Sequence, residues 1–459
     1  MLASGRIELL GHERSLSQWR PAEAPQLWRY HLHYWDWAWS LVHDADRPGA
    51  QAVFRRLFRE WQAQTQFGRW DEWSPYVVSL RAWSWCGQFE PLVRGTDLEE
   101  ELVRLLALHT RFLRAHLELD AGGNHLIKNL KALVGLAIFF DDRELLRRTL
   151  SRMQAAVARQ VLPDGGHEER APAYHCQVLG DLIDVEGLLA AEAPPWLRDA
   201  VARMRTWLGL VLLPTGDVPL LNDGFPVDAT FLDLLEPGPA APDGLTLLPE
   251  SGLAVLRRGK WHVLADVGPP CPEDLPAHAH ADTLGFLLHH RTLLVVGEAF
   301  TSTYAPGAVR AAERSTGSHS TVQVDGQDST EVWGAFRAGR RARVGEVETG
   351  DHDGMVTLSA QHDGYRHLPG GPRHRRTWRL SAEGLTVVDV VDGSGQHDLV
   401  LRFHRTTPRD VAKATGPLSA VPANVAAGWE TRHEGSALEH TAHARLPWRF
   451  ETQLREAQA

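Results

Sequence analysis

The chain has 459 residues, 43% of them hydrophobic and 23% charged, which is too long for one ordinary core and predicts a globular protein of two or three domains. Its formal net charge of -10, from 48 basic and 58 acidic residues, argues against a general nucleic-acid binder. Nearly all the positive charge is arginine, whose planar fork suits carboxylates and sulfates.

The opening stretch "MLASGRIELLGHERSLSQWR" carries charges where a signal peptide needs a continuous apolar core, and no later segment is apolar for long enough to span a bilayer. This predicts a cytoplasmic chain without a membrane span; a periplasmic or secreted location would need a leader ahead of it. From about Leu27 to Leu235 the apolar spacing is helical. Helices are expected in "LWRYHLHYWDWAWSLVHDA", "VVSLRAWSWCGQF", "EEELVRLLALHTRFLRAHLEL", "RELLRRTLSRMQAAVARQVL", "YHCQVLGDLIDVEGLLA" and "PPWLRDAVARMRTWLGLVLL". "NHLIKNLKALVGLAIFF" is apolar on almost every side and reads as a buried inner helix. Helices pairing across short links around a buried set suggest a layered or toroidal domain rather than a four-helix bundle.

After "LEPGPAAPDG" the period changes. Short runs such as "WHVLADV", "LGFLLHH" and "MVTLSAQ", separated by "DG", "EG" and "GSG" turns, predict antiparallel sheets and hence a sandwich. The expected boundary lies near Asp243, dividing the chain into 1–243 and 244–459. Cys86, Cys176 and Cys271 lie far apart, form no CxxC pair, and are expected to be free.

Three clusters carry chemistry. In "GGNHL", Asn124 reads as the N-cap of the inner helix, or, with His125, as an anion site at the positive end of that helix. In "PDGGHEERAPAYHCQ", His167, Glu168, Glu169, Arg170, Tyr174 and His175 crowd one connection. A tyrosine there serves as acid, or as base if nearby cations lower its ordinary pKa of about 10. In "AHAHADTLGF", His278, His280 and Asp282 occupy alternate positions, which in a strand share one face. Two imidazoles so placed suit either a shared metal, with a third ligand from another strand for which Glu298 in "VVGEAF" and His319 in "STGSHSTV" are available, or a structural role, since no HExxH or CxxC spacing marks a metal site. The 17 tryptophans are expected mostly in the core, with some, such as Trp73 in "RWDEWSPY", as flat faces for sugar rings. Arg81 and Arg314 are expected either to clamp acidic groups or to form structural ion pairs, and Glu168 to meet substrate.

The pieces "LHYWDW", "SPYVVSLRAWSW", "GGNHL", "DGGHEERAPAYH", "HAHADTLGF" and "ERSTGSHSTVQVDGQDSTEVW", in that order, resemble the heparinase II/III family of polysaccharide lyases and its relatives from bacterial polysaccharide gene clusters. The resemblance runs from about Trp28 to His404. It implies an α+β multidomain chain, with an N-terminal (α/α) toroid of helical hairpins, a C-terminal antiparallel β-sandwich and a cleft for an acidic polysaccharide or oligosaccharide. By motif, Tyr174 would be the catalytic tyrosine, Asn124 and His125 would meet the substrate carboxylate, and His278 would stand opposite. In metal-containing relatives a structural zinc is held at positions matching His280, Glu298 and His319; Glu298 departs from the more usual aspartate. No organic cofactor is implied.

The implied reaction is elimination across C4 and C5 of a uronic acid, with the carboxylate neutralised by hydrogen bonds and either Tyr174 or His278 as base. Two other readings use the same residues differently. A glycoside hydrolase would need two carboxylic acids across the cleft, from among Glu168, Glu169 and Asp223. A non-catalytic glycan-binding or assembly protein would need neither, since fold alone does not license activity.

Overall fold

The computed structural model describes residues 2–455. Helices fill the N-terminal part and antiparallel strands the C-terminal part, the first strand of the large sheets being Gly244–Leu248, next to the expected boundary. Compactness divides the chain differently. One unit is Met1–Arg159 with Gly180–Asp199, and the other is Gln160–Leu179 with Ala200–Ala459. The helices Pro172–Leu189 and Pro195–Val211 therefore each contribute to both units.

In the first unit, Arg47–Gln64, Pro75–Leu92, Glu99–Ala115 and Gly123–Phe139 are long helices packed through buried tryptophans. Trp19 stacks on Trp35 at 5.3 Å between centroids, and Trp61 meets Trp85 edge-on at 5.2 Å. Such rings carry large apolar area and prefer these offset and edge geometries. The single helix expected over residues 27–45 is broken. Gln26–Tyr34 ends at Trp35, which adopts φ 61°, and a short turn leads into Trp39–Val42. In that turn the Trp35 carbonyl accepts from Ala38 N at 3.2 Å, and Gln88 Nε2 donates to it as well at 2.9 Å. The Gly123–Phe139 helix is buried as expected, and its lysines are paired: Lys128 and Lys131 donate to Asp181 at 2.7 and 2.9 Å. A short hairpin, Arg6–Leu9 with His12–Ser15, was not expected.

The second unit contains three large antiparallel sheets and one two-stranded hairpin among the described residues. A five-stranded sheet runs from Gly244–Leu248 to Leu293–Val296 in sequence order. Alternation along its strands serves two cores. Leu253, Val255, Leu264 and Leu287 pack with Trp207 and Val211 of the Pro195–Val211 helix. Ala254, Leu256, Val263 and Phe286 face the opposite way, into a core shared with Trp378, Leu401 and Phe450 of the six- and four-stranded sheets. A strand with both faces covered reads as nearly continuous apolar sequence, as "LAVL" and "FLL" do. The last four strands, from Val411–Ala414 to Trp448–Leu454, were not anticipated individually. Among the described residues no helix is long and apolar enough to cross a membrane.

Candidate functional site

The segment 277–285 is a loop; the strand begins only at Phe286. His278 and His280 nonetheless turn to one side, because both reach the same carboxylate. His278 Nδ1 lies 3.0 Å from Asp223 Oδ2, and His280 Nε2 lies 2.9 Å from Asp223 Oδ1. Arg310 clamps the same group with both terminal nitrogens, Nη2 donating to Oδ2 at 2.7 Å. Burial opposes ionisation of Asp223, but the Arg310 charge and the hydrogen bonds from His278, His280 and Arg310 overcome it and hold the carboxyl well below the usual range. An ionised Asp223 accepts the proton on His278 Nδ1, which leaves Nε2 as the basic nitrogen.

Tyr174 sits in the first turn of Pro172–Leu189. Its ring stacks on His278, with centroids 4.0 Å apart, and its hydroxyl meets that of Tyr304 at 2.8 Å. Tyr304 in turn donates to the Asp223 backbone carbonyl at 3.0 Å. Burial, with Tyr304 and Asp223 close by, pushes the Tyr174 phenol well above its ordinary value, so it keeps its proton at neutral pH. Asn222 fixes the two segments relative to each other. Its Nδ2 donates to the Arg170 carbonyl at 3.0 Å, and its Oδ1 accepts from His280 N at 3.0 Å. The sequence reading missed Tyr304, Arg310 and the joining role of Asp223. A tyrosine shortly after "VVGEAF", then arginines four apart in "AVRAAER", was the available signal.

The expected metal ligands surround one small space. A cavity of about 10 Å³, roughly one water in size, is lined by Asp266, His280, Asp282, Glu298 and His319 among others. His319 Nδ1 lies 2.7 Å from Glu298 Oε2. His280 Nδ1, His319 Nε2 and Asp282 Oδ1 are buried with no hydrogen-bond partner among the described residues. These donors suit a small divalent cation chemically. As arranged they form pairs instead, and among the described residues no three histidine, cysteine, aspartate or glutamate side chains are placed to hold one ion. Asp282 also faces this cavity, where burial raises its carboxyl and that of Asp266.

The other expected residues lie elsewhere. In the first unit, Asn124 is not the N-cap. Gly122 takes that position with φ 59° and ψ -147°, and Asn124 is buried in the first turn. His125 follows it, with Nδ1 3.0 Å from Glu118 Oε1 and its ring 4.4 Å from that of Tyr76. Arg81, expected as a clamp or in a structural ion pair, is fully buried and donates to the Glu72 carbonyl at 2.8 Å, enclosed by Trp61, Trp73 and Trp85. Trp73, expected as a sugar platform, is buried against Phe67 and Phe112. In the second unit, Arg314 is likewise fully buried and donates to the carbonyls of Ala279, Trp333, Gly334 and Arg337. A guanidinium held by that many carbonyls is structural. Glu168 is also buried, where the tight turn around Gly165 places it.

Models of the heparinase II/III N-terminus and of the heparinase II/III-like C-terminal region match residues 25–235 and 240–458. A curated relative, FtsZ-localized protein C of Caulobacter vibrioides, is 28% identical over 369 residues, covering 76% of this chain. The chain spans 62% of that relative's length. A heparinase III crystal structure superposes with a TM-score of 0.79 at 15% identity, covering 99% of this chain and 81% of that one. Heparan sulfate lyase HepC of Pedobacter heparinus gives 0.65 at 16% identity, covering 100% and 83%. At such identities the structures speak for the fold, which is the helical region followed by antiparallel sheets described above. Matched along both its helical and its sheet-rich regions, the chain belongs to the heparinase II/III-like family.

Proposed function

We propose that this protein cleaves a uronic-acid-containing polysaccharide or oligosaccharide by β-elimination. The observation that carries the reading is Tyr174 stacked on His278, with Asp223 behind the imidazole. His278 Nε2 takes the proton from C5. The C4–O4 bond breaks as the C4–C5 double bond forms, and Tyr174 gives its phenolic proton to the departing O4. Tyr304 holds the Tyr174 hydroxyl in place before substrate arrives. Asn124 and His125, taken within the first unit, sit in the first turn of a helix whose N-terminus is partly positive, which suits them to a carboxylate; neutralising a uronate carboxylate makes its C5 proton removable.

Asp223 disfavours the hydrolase alternative. Both its oxygens are engaged by three cationic or imidazole partners, so it has no proton to donate and no free edge for nucleophilic attack. For a zinc ion to be held by His280, Glu298 and His319, these side chains would have to be drawn together from the pairs they form. The ion would supply a structural link between the 277–285 loop and the segment carrying His319, apart from the proton transfers.

A second reading is a non-catalytic glycan-binding or assembly protein, and the relative named for its localisation to FtsZ, not for an activity, keeps it in play. One experiment separates the readings. Purified protein and Tyr174→Phe are incubated with a panel of uronic-acid polymers while near-ultraviolet absorbance and reducing ends are followed. Absorbance rising with the parent alone supports elimination; new reducing ends without absorbance support hydrolysis; silence in both, with retained binding, supports the non-catalytic reading.

A further inference from the structure

The segment Val332–Ala338 forms a small antiparallel hairpin whose two strands pair Trp333 with Arg337 and Val332 with Ala338. Its tip is unusually apolar for an exposed turn: Trp333 is 51% and Phe336 42% exposed. The Arg337 guanidinium lies over the Trp333 ring, 4.9 Å from its centroid, and makes no ion pair among the described residues. Two fully buried arginines on one short helix hold the backbone of this tip. Arg314 donates to Gly334 O at 3.2 Å and Arg337 O at 3.1 Å, and Arg310 donates to Ala335 O through Nε at 3.0 Å.

The tip is also continuous with the reactive pair. Phe336 meets Tyr304 edge-on at 5.7 Å, and Tyr304 touches Tyr174 through its hydroxyl. Arg310, which holds the tip, is the same residue that clamps Asp223 behind His278. An exposed indole and phenyl face beside an unpaired guanidinium match the chemistry of a sugar ring bearing a carboxylate or sulfate: apolar CH faces stack on the rings, and the anion pairs with the fork.

We propose that the Val332–Ala338 hairpin is a subsite for an acidic sugar residue of the bound chain, one or more units from the bond that breaks. Trp333 and Phe336 stack the ring, and Arg337 takes its anionic group. This rests on the elimination reading for its substrate class, while the binding role stands on the hairpin itself.

The test uses hexasaccharides prepared from heparan sulfate, chondroitin sulfate and alginate, with the full chain and its Trp333→Ala, Phe336→Ala and Arg337→Ala variants. Binding is read by titration calorimetry and turnover by absorbance. Loss of one stacking or charged contact should weaken binding roughly tenfold, as a change in KM rather than kcat. The Arg337→Ala loss should shrink as salt is raised, and Arg337→Lys should restore only part of it. If the parent turns over and the variants match it in KM, the subsite is wrong and the elimination reading stands. If the parent binds without turnover and the variants lose binding, the subsite stands and elimination falls. If the parent neither binds nor cleaves any hexasaccharide, both fall.

Discussion

Asp223 sets the state of its neighbours. Held by Arg310, His278 and His280, it fixes one imidazole tautomer and stays charged in a buried setting. Asp223→Asn should leave Arg310 buried without its counter-charge, which costs about 3–5 kcal/mol in comparable buried pairs. A fall in the urea midpoint would show it, and no change would mean that Arg310 finds another partner. Tyr174→Phe should lower turnover by about 10²–10⁴-fold, the range expected for losing a general acid, with the melting temperature nearly unchanged. Tyr174 was legible because it sits in a dense polar motif. Tyr304 was not, because nothing local distinguishes it; its meaning comes from a hydroxyl 130 residues earlier in the chain.

At the scale of elements, turn chemistry and close approach account for what periodicity leaves open. The "PDGG" run, Pro163 to Gly166, makes a tight turn. In the structure Gly165 has φ 94°, and a Cβ there would run into the Arg203 backbone carbonyl. Gly165→Ala should therefore destabilise the protein by about 2 kcal/mol or more, beyond the usual entropic gain of such a change, as a thermal melt would register. The long hairpin Ser419–Gly428 with Thr431–Arg445 brings Trp429 edge-on to Tyr304 at 4.6 Å, and Glu430 N donates to Ser302 O at 2.7 Å. Trp429→Ala should reduce kcat/KM by roughly tenfold through a less ordered Tyr304, with little loss of stability, as steady-state kinetics beside a melt would show. The alternation of "AHAHAD" predicted a strand, and the structure has a loop. The two histidines still share a side because Asp223 gathers them, not because a sheet does.

For the whole molecule, buried neutral histidines set its response to acid. His175 and His262 are pushed down to about 3, and His289 to about 4, chiefly by burial. Between their ordinary 6.5 and those values the unfolded chain binds more protons than the folded one, so stability is full above pH 6.5 and falls as pH drops through that window. Asp223, depressed below 3.8, adds a further loss at still lower pH. The denaturant midpoint should accordingly decline from pH 7 toward pH 4; a flat profile would contradict these burials. If zinc is held by His280, Glu298 and His319, chelation should lower the melting temperature and metal analysis should find one ion per chain. The sequence by itself determined the change from helical to strand periodicity, the buried inner helix and the short motifs that hold Tyr174 and His278, because these follow from side-chain spacing along the chain. Only the tertiary structure decided that Arg81 and Arg314 are interior supports and that Asp223 joins His278, His280 and Arg310. Burial and partnership between residues far apart in sequence depend on how the elements pack, and no local pattern records that.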